Sequence, residues 1–160
     1  MKLELTINGV PRTLDVAPEA LLLDVLRDAA GCKSVKRGCE AGDCGACTVL
    51  VDGRPLASCL LLAGQVAGRN ITTVEGLGTP ERPHPLMTAL VEAGAVQCGF
   101  CIPGVILSAK ALLDENPDPT AEDVKAALDG HLCRCTGYVK QIEAVLAAAA
   151  RLRAGKEGVR

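Results

Sequence analysis

Nine cysteines stand out among 160 residues, and eight of them fall into two spaced groups. Cys39, Cys44 and Cys47 follow C-x4-C-x2-C, and Cys59 comes twelve positions later. This is the plant-type spacing for a [2Fe–2S] cluster held by four thiolates. Four thiolates and two sulfides give the oxidised cluster a charge of about −2 and the reduced one about −3. A loop around that charge must turn backbone N–H groups inward, and Gly38, Gly42 and Gly45 allow the close approach and the unusual backbone angles. Lys33, Lys36 and Arg37 either add a favourable field or form ordinary surface. Zinc competes for the same thiols, but structural zinc usually takes two C-x2-C knuckles, a poor match to this loop. A Rieske centre needs two His ligands, and His84 and His131 belong to no C-x-H pair.

The second group is Cys98, Cys101, Cys133 and Cys135: C-x2-C, 31 residues, then C-x-C. Each pair precedes the start of a predicted helix, where free N–H donors and partial positive charge favour thiolates and an anionic cluster. Two adjacent thiols are awkward for one tetrahedral zinc, yet spacing alone leaves both metals open here. Cys32 lies outside every ligand spacing, directly after Gly31, and reads as a small buried apolar residue.

The elements that position these thiols are legible in outline. Leu3, Leu5, Ile7, Leu14 and Val16 alternate around Asn8-Gly9, a hairpin signal. Residues 20–30 read as a helix stopped by Gly31. Residues 48–51 and 54–56 read as strands joined by Asp52-Gly53, and 70–74 as a closing strand. From Gly76 the character changes. Gly78, Pro80, Pro83 and Pro85 mark a linker over 77–85. Four helices follow, over 86–93, 103–115, 121–129 and 138–153, with Thr120 as a cap and a basic end from Arg151 read as solvated. The fold class is α+β in two units, residues 1–76 and 86–160. The core must be aliphatic, because Phe100 and Tyr138 are the only aromatic residues.

A net charge of −2 excludes a strongly basic nucleic-acid binder, and the lack of aromatics argues against base-stacking platforms. The charge-free stretch 94–109 is too short to span a bilayer. No secretory or twin-arginine signal is recognisable at the start, so a cytoplasmic protein is expected, where clustered thiols bind metal rather than pair. No Walker or G-x-G-x-x-G loop is present, so the chain is expected to carry no nucleotide of its own.

Taken together, residues 38–49 (GCEAGDCGACTV), 97–104 (QCGFCIPG) and 132–138 (LCRCTGY) are similar to the small iron–sulfur subunit of the xanthine oxidase, or molybdenum hydroxylase, family. Ile102 stands where that family usually has Thr. The resemblance covers essentially the whole chain. It implies an N-terminal β-grasp, plant-ferredoxin-like domain (1–76) and an all-α, four-helix-bundle-like domain (86–160), each with one [2Fe–2S] cluster. It also implies a molybdopterin-binding large subunit and an FAD-binding medium subunit as partners, in a dimer of heterotrimers. Gln97 and Cys135 would approach the pterin, although Gln97 also reads as a helix-end residue bonding local backbone. Electrons would pass from molybdopterin through a buried C-terminal cluster and an exposed N-terminal cluster to FAD.

Residues 34–39 and 94–97 look most like xanthine dehydrogenase small subunits, which suggests a purine substrate. Residues 133–145 also resemble the 4-hydroxybenzoyl-CoA reductase type, and carbon monoxide and nicotine-type dehydrogenases are further alternatives. A free-standing two-cluster ferredoxin and a zinc-binding interaction module are the rivals outside this function. The mean hydropathy of +0.26 favours buried subunit interfaces over a free-standing ferredoxin.

Overall fold

The computed structural model describes residues 1–157. Strand β1 (Lys2–Ile7) points Leu3, Leu5 and Ile7 into the core and pairs antiparallel with β2 (Val10–Asp15). Asn8 and Gly9 turn the hairpin at φ 52° and 78°, the left-handed region that this dipeptide favours. Strands β3 (Thr48–Val51), β4 (Arg54–Ala57) and β5 (Asn70–Thr72) complete a mixed sheet of order β2-β1-β5-β3-β4, in which β5 runs parallel to β1. Strand β5 is shorter than the sequence suggests. Thr73 leaves the ladder because its N–H donates to Asn8 Oδ1 at 2.8 Å, and a tight turn over Val74–Gly76 follows.

The single helix expected over 20–30 is instead a short turn, α1 (Leu22–Asp24), widening into a π-turn over Val25–Ala29. The Leu22 N–H donates to the Leu61 carbonyl at 2.8 Å, which delays the start. The Ala30 N–H reaches back five residues to Val25. Leu22, Leu23, Val25 and Leu26 are all buried in the N-terminal core.

Strand β3 is buried on both faces. Val49 and Val51 join the N-terminal core, while Leu50 meets Leu107 and Ala111 from the helical half. That half comprises α2 (Pro85–Glu92), α3 (Ile102–Glu115), α4 (Ala121–Leu128) and α5 (Val139–Glu157). Thr120 and Asp123 cap α4 reciprocally, at 3.2 and 2.8 Å. Helix α2 packs on α3 and α5, and α4 on the same two. Their core is aliphatic: Leu86, Leu90, Val105, Ile106, Val124, Val145 and several Ala. The basic end of α5 is pinned rather than free in solvent, since Arg151 pairs with Glu92 and Arg153 lies 2.7 Å from Asp118.

Candidate iron–sulfur centres

The loop between α1 and β3 brings Cys39, Cys44 and Cys47 together, and the turn after β4 adds Cys59. The backbone N–H groups of Ala41, Asp43 and Cys44 converge on Cys39 Sγ at 3.4, 3.3 and 3.4 Å. These donors, that of Ala41 foremost, draw the Cys39 thiol down to about 6. The nest depends on left-handed backbone at Gly42 (φ 81°) and Gly45 (φ 70°). Cys47 and Cys59 are buried together, and burial with the neighbouring Cys47 thiol pushes Cys59 up to about 11. One edge of the site therefore favours thiolate, while Cys59 at the other holds its proton more tightly. The basic run beside it is largely engaged elsewhere: Arg37 pairs with Asp24 and Glu40, and Lys33 lies 3.1 Å from Asp28.

The second group assembles where the loops before α3 and α5 meet. Cys98, Cys101, Cys133 and Cys135 line a cavity of about 240 Å³ with Phe100, Leu132 and Arg134. Cys101 faces Cys133, and Cys98 faces Cys135. Burial, reinforced by the Cys133 thiol, pushes Cys101 up to about 11. Burial also opposes ionisation of Cys133, but the Thr136 hydroxyl (3.1 Å from Sγ) and the backbone N–H groups of Thr136 and Cys135 hold it at about 7. Tyr138 braces this loop from a left-handed backbone (φ 70°), its hydroxyl accepting the Cys133 N–H at 2.7 Å. Cys98 and Cys135 are exposed, and Val96, Phe100, Leu132 and Val139 expose apolar surface close to them in sequence. The sequence suggests a buried second site and an exposed first one. In this chain each site instead has one enclosed and one open edge.

Among the described residues, no three His, Cys, Asp or Glu side chains converge on a single ion position. The thiols stand in facing pairs: Cys39 with Cys44, Cys47 with Cys59, Cys101 with Cys133, Cys98 with Cys135. Two pairs per site match a binuclear cluster, in which each iron takes two thiolates, better than one tetrahedral zinc.

The two loops touch. The Leu132 N–H donates to the Cys44 carbonyl at 3.0 Å, joining the residue before Cys133 to the backbone of a cysteine of the other site. Buried between them, His131 holds Ser108 Oγ at 2.7 Å through Nε2, and its Nδ1 lies beside Gly45 with no hydrogen-bond partner among the described residues. Gln97 donates to the Cys135 carbonyl at 3.0 Å, a contact across 38 residues rather than the local backbone bond weighed from sequence.

Two family models together match most of the chain. Residues 5–72 match the 2Fe-2S iron-sulfur cluster binding domain model, and residues 73–146 the [2Fe-2S] binding domain model. The nicotinate dehydrogenase small FeS subunit of Eubacterium barkeri is 51% identical over 86% of this chain and 88% of its own length. The chain belongs to the small iron–sulfur subunits of the molybdenum hydroxylases. The xanthine dehydrogenase iron-sulfur-binding subunit of Escherichia coli O157:H7 is 44% identical over 90% of this chain and 91% of its own. Against the aldehyde oxidoreductase of Megalodesulfovibrio gigas the identity is 50% over 95% of this chain, which spans 17% of that larger protein. The crystal structure of quinoline 2-oxidoreductase from Pseudomonas putida 86 contains a chain that superposes with a TM-score of 0.92, at 44% identity and 97% coverage of both. Members of this family carry two [2Fe–2S] clusters and serve oxidoreductases whose catalytic site lies on a partner subunit.

Sequence reasoning missed His131, Ser108, Thr136 and Gln141. Gln141 carried a usable signal: it shares one helical face with Ala144, Val145 and Ala148, where a polar side chain is out of place.

Proposed function

We propose that Cys39, Cys44, Cys47 and Cys59 hold one [2Fe–2S] cluster and Cys98, Cys101, Cys133 and Cys135 the other, and that this chain relays electrons from molybdopterin on a large subunit to FAD on a medium subunit. The observation that carries the reading is the pairing of all eight thiols, two pairs to each site. When bound, each cluster accepts and gives up one electron at a time. The chain's own residues do the rest. Backbone N–H groups at Cys39 and the Thr136 hydroxyl at Cys133 stabilise anionic sulfur. The Leu132–Cys44 hydrogen bond fixes the two loops against each other.

The second site is the entry point in this reading, and the first is the exit toward FAD. Support comes from the exposed Cys98–Cys135 edge and its apolar neighbours Phe100 and Leu132, which suit a docking face; Gln97 and Cys135 would approach the pterin from it. The functional division is into units 1–76 and 86–160, the latter a four-helix-bundle-like cradle, with 77–85 as the linker; the two larger cores support it. The complex is a dimer of heterotrimers in the cytosol, a reducing compartment that suits nine free thiols.

The substrate proposed is a purine of the xanthine type. The xanthine dehydrogenase relative supports it, and nicotinate and quinoline in the names of other relatives share its chemistry, an electron-poor carbon beside a ring nitrogen. Two measurements on the assembled complex test the proposal. Offered xanthine, nicotinate and an aldehyde, it should reduce its clusters fastest with xanthine; a faster aldehyde or nicotinate overturns the purine reading. In Cys47→Ala, substrate should still reduce the second cluster while FAD stays oxidised during turnover. Normal FAD reduction in that variant would reverse the order of the relay.

A further inference from the structure

We infer that Gln141 sets the reduction potential of the second cluster by donating a side-chain N–H to the sulfur of Cys101. The inference rests on the reading that Cys101 is a cluster ligand. Gln141 stands in the first turn of α5, fully buried at 0% exposure. Its Nε2 lies 3.6 Å from Cys101 Sγ, within reach of a large sulfur acceptor. Its Oε1 has no hydrogen-bond partner among the described residues. A thiolate only accepts, so the N–H end must face it and the carbonyl end is left stranded.

That arrangement is poor as packing. A buried carboxamide with one end unsatisfied is worse for stability than an apolar side chain of the same size. What the amide offers and an apolar residue does not is a donor to a sulfur that water cannot reach, since Cys101 is the most enclosed thiol of its group. Each added electron makes the ligand sulfurs better acceptors, so the donor stabilises the reduced cluster more than the oxidised one and raises its potential. Gln141 is thus a positioning residue acting on the cluster through Cys101, and it is distinct from Gln97, whose amide is used on the Cys135 carbonyl.

The test is an EPR-monitored redox titration of the assembled complex carrying Gln141→Met, which keeps the size and removes the donor. The reduction equilibrium of the second cluster should fall about tenfold, about 59 mV for one electron, and the first should not move. An exchangeable deuteron coupled to the second cluster should also disappear. An unshifted second cluster, or equal shifts in both, overturns the inference. Gln141→Leu repeats the measurement should the Met variant fail to assemble. A measurement on the wild type needs no variant: with 15N-labelled glutamine side chains the reduced second cluster should show a 15N coupling, and its absence overturns the inference as well. Wild-type protein lacking the second cluster signal would instead sink the ligand assignment.

Discussion

His131 shows how one buried side chain ties chemistry to stability. It fills the seam between the two cysteine loops, and burial pushes its pKa below the ordinary 6.5. The folded ring is therefore neutral, and the unfolded chain binds the proton more readily. The stability that follows is complete above about pH 6.5 and is lost as the pH falls below that value toward the folded pKa. His84 shifts the same way through burial and adds with the same sign. Urea unfolding followed by loss of cluster absorbance should show the midpoint dropping between about pH 7.5 and 5.5. The drop should be smaller in His131→Asn. Cys32 supplies the contrasting case. It is buried in the N-terminal core, and burial raises its pKa, so it behaves as an apolar residue. Cys32→Ala should keep the full iron content and cost about 1 kcal/mol or less, one small buried group's worth. Loss of a cluster in that variant would mean that the ligand set is misassigned.

At the scale of elements, the two loops and α3 meet at close quarters. A Cβ on Gly104 in the first turn of α3 would come within 2.2 Å of the Gly45 carbonyl, a backbone atom that cannot swing aside. Gly104→Ala should therefore destabilise the chain by about 1–3 kcal/mol, the usual cost of overpacking, and perturb the EPR signals of both clusters. A variant with unchanged melting and unchanged spectra would show that the seam is loose. This contact was not legible in the sequence, because Gly104 looks like an ordinary helix-start glycine and its neighbour lies 59 positions away. The hairpin at Asn8-Gly9 and the Thr120 cap were legible, since each depends on local backbone geometry. The π-turn after α1 was not, because the pull on Leu22 comes from Leu61 on a distant segment. The same division holds at the sites. Spacing singled out the eight cysteines on which the proposed function rests, but Ser108, Gln141 and the His131 contacts follow from tertiary packing.

The whole molecule is two small cores joined by a narrow third one. One packs Leu3, Leu23, Leu26 and Val49, the other Leu86, Leu90, Val105 and Val145, and Leu50, Leu107 and Ala111 bridge them. Each core is aliphatic and comes from a unit below the size at which burial alone gives ample stability. Each should depend on its own metal centre. In hydrogen exchange, Cys44→Ala should lose protection mainly in the β-sheet half and Cys101→Ala mainly in the helices. Equal loss across the chain in both variants would show one cooperative unit instead. Arg151 and Arg153, which tie α5 to Glu92 and Asp118, keep the helical half closed but touch neither site. The most direct measurement is the iron, sulfide and zinc content of the purified protein, taken with EPR of its reduced form. Eight paired thiols should yield about four Fe and four sulfides per chain, little zinc, and two distinguishable [2Fe–2S] signals. Zinc in place of iron, or a single cluster, would contradict the two-cluster relay.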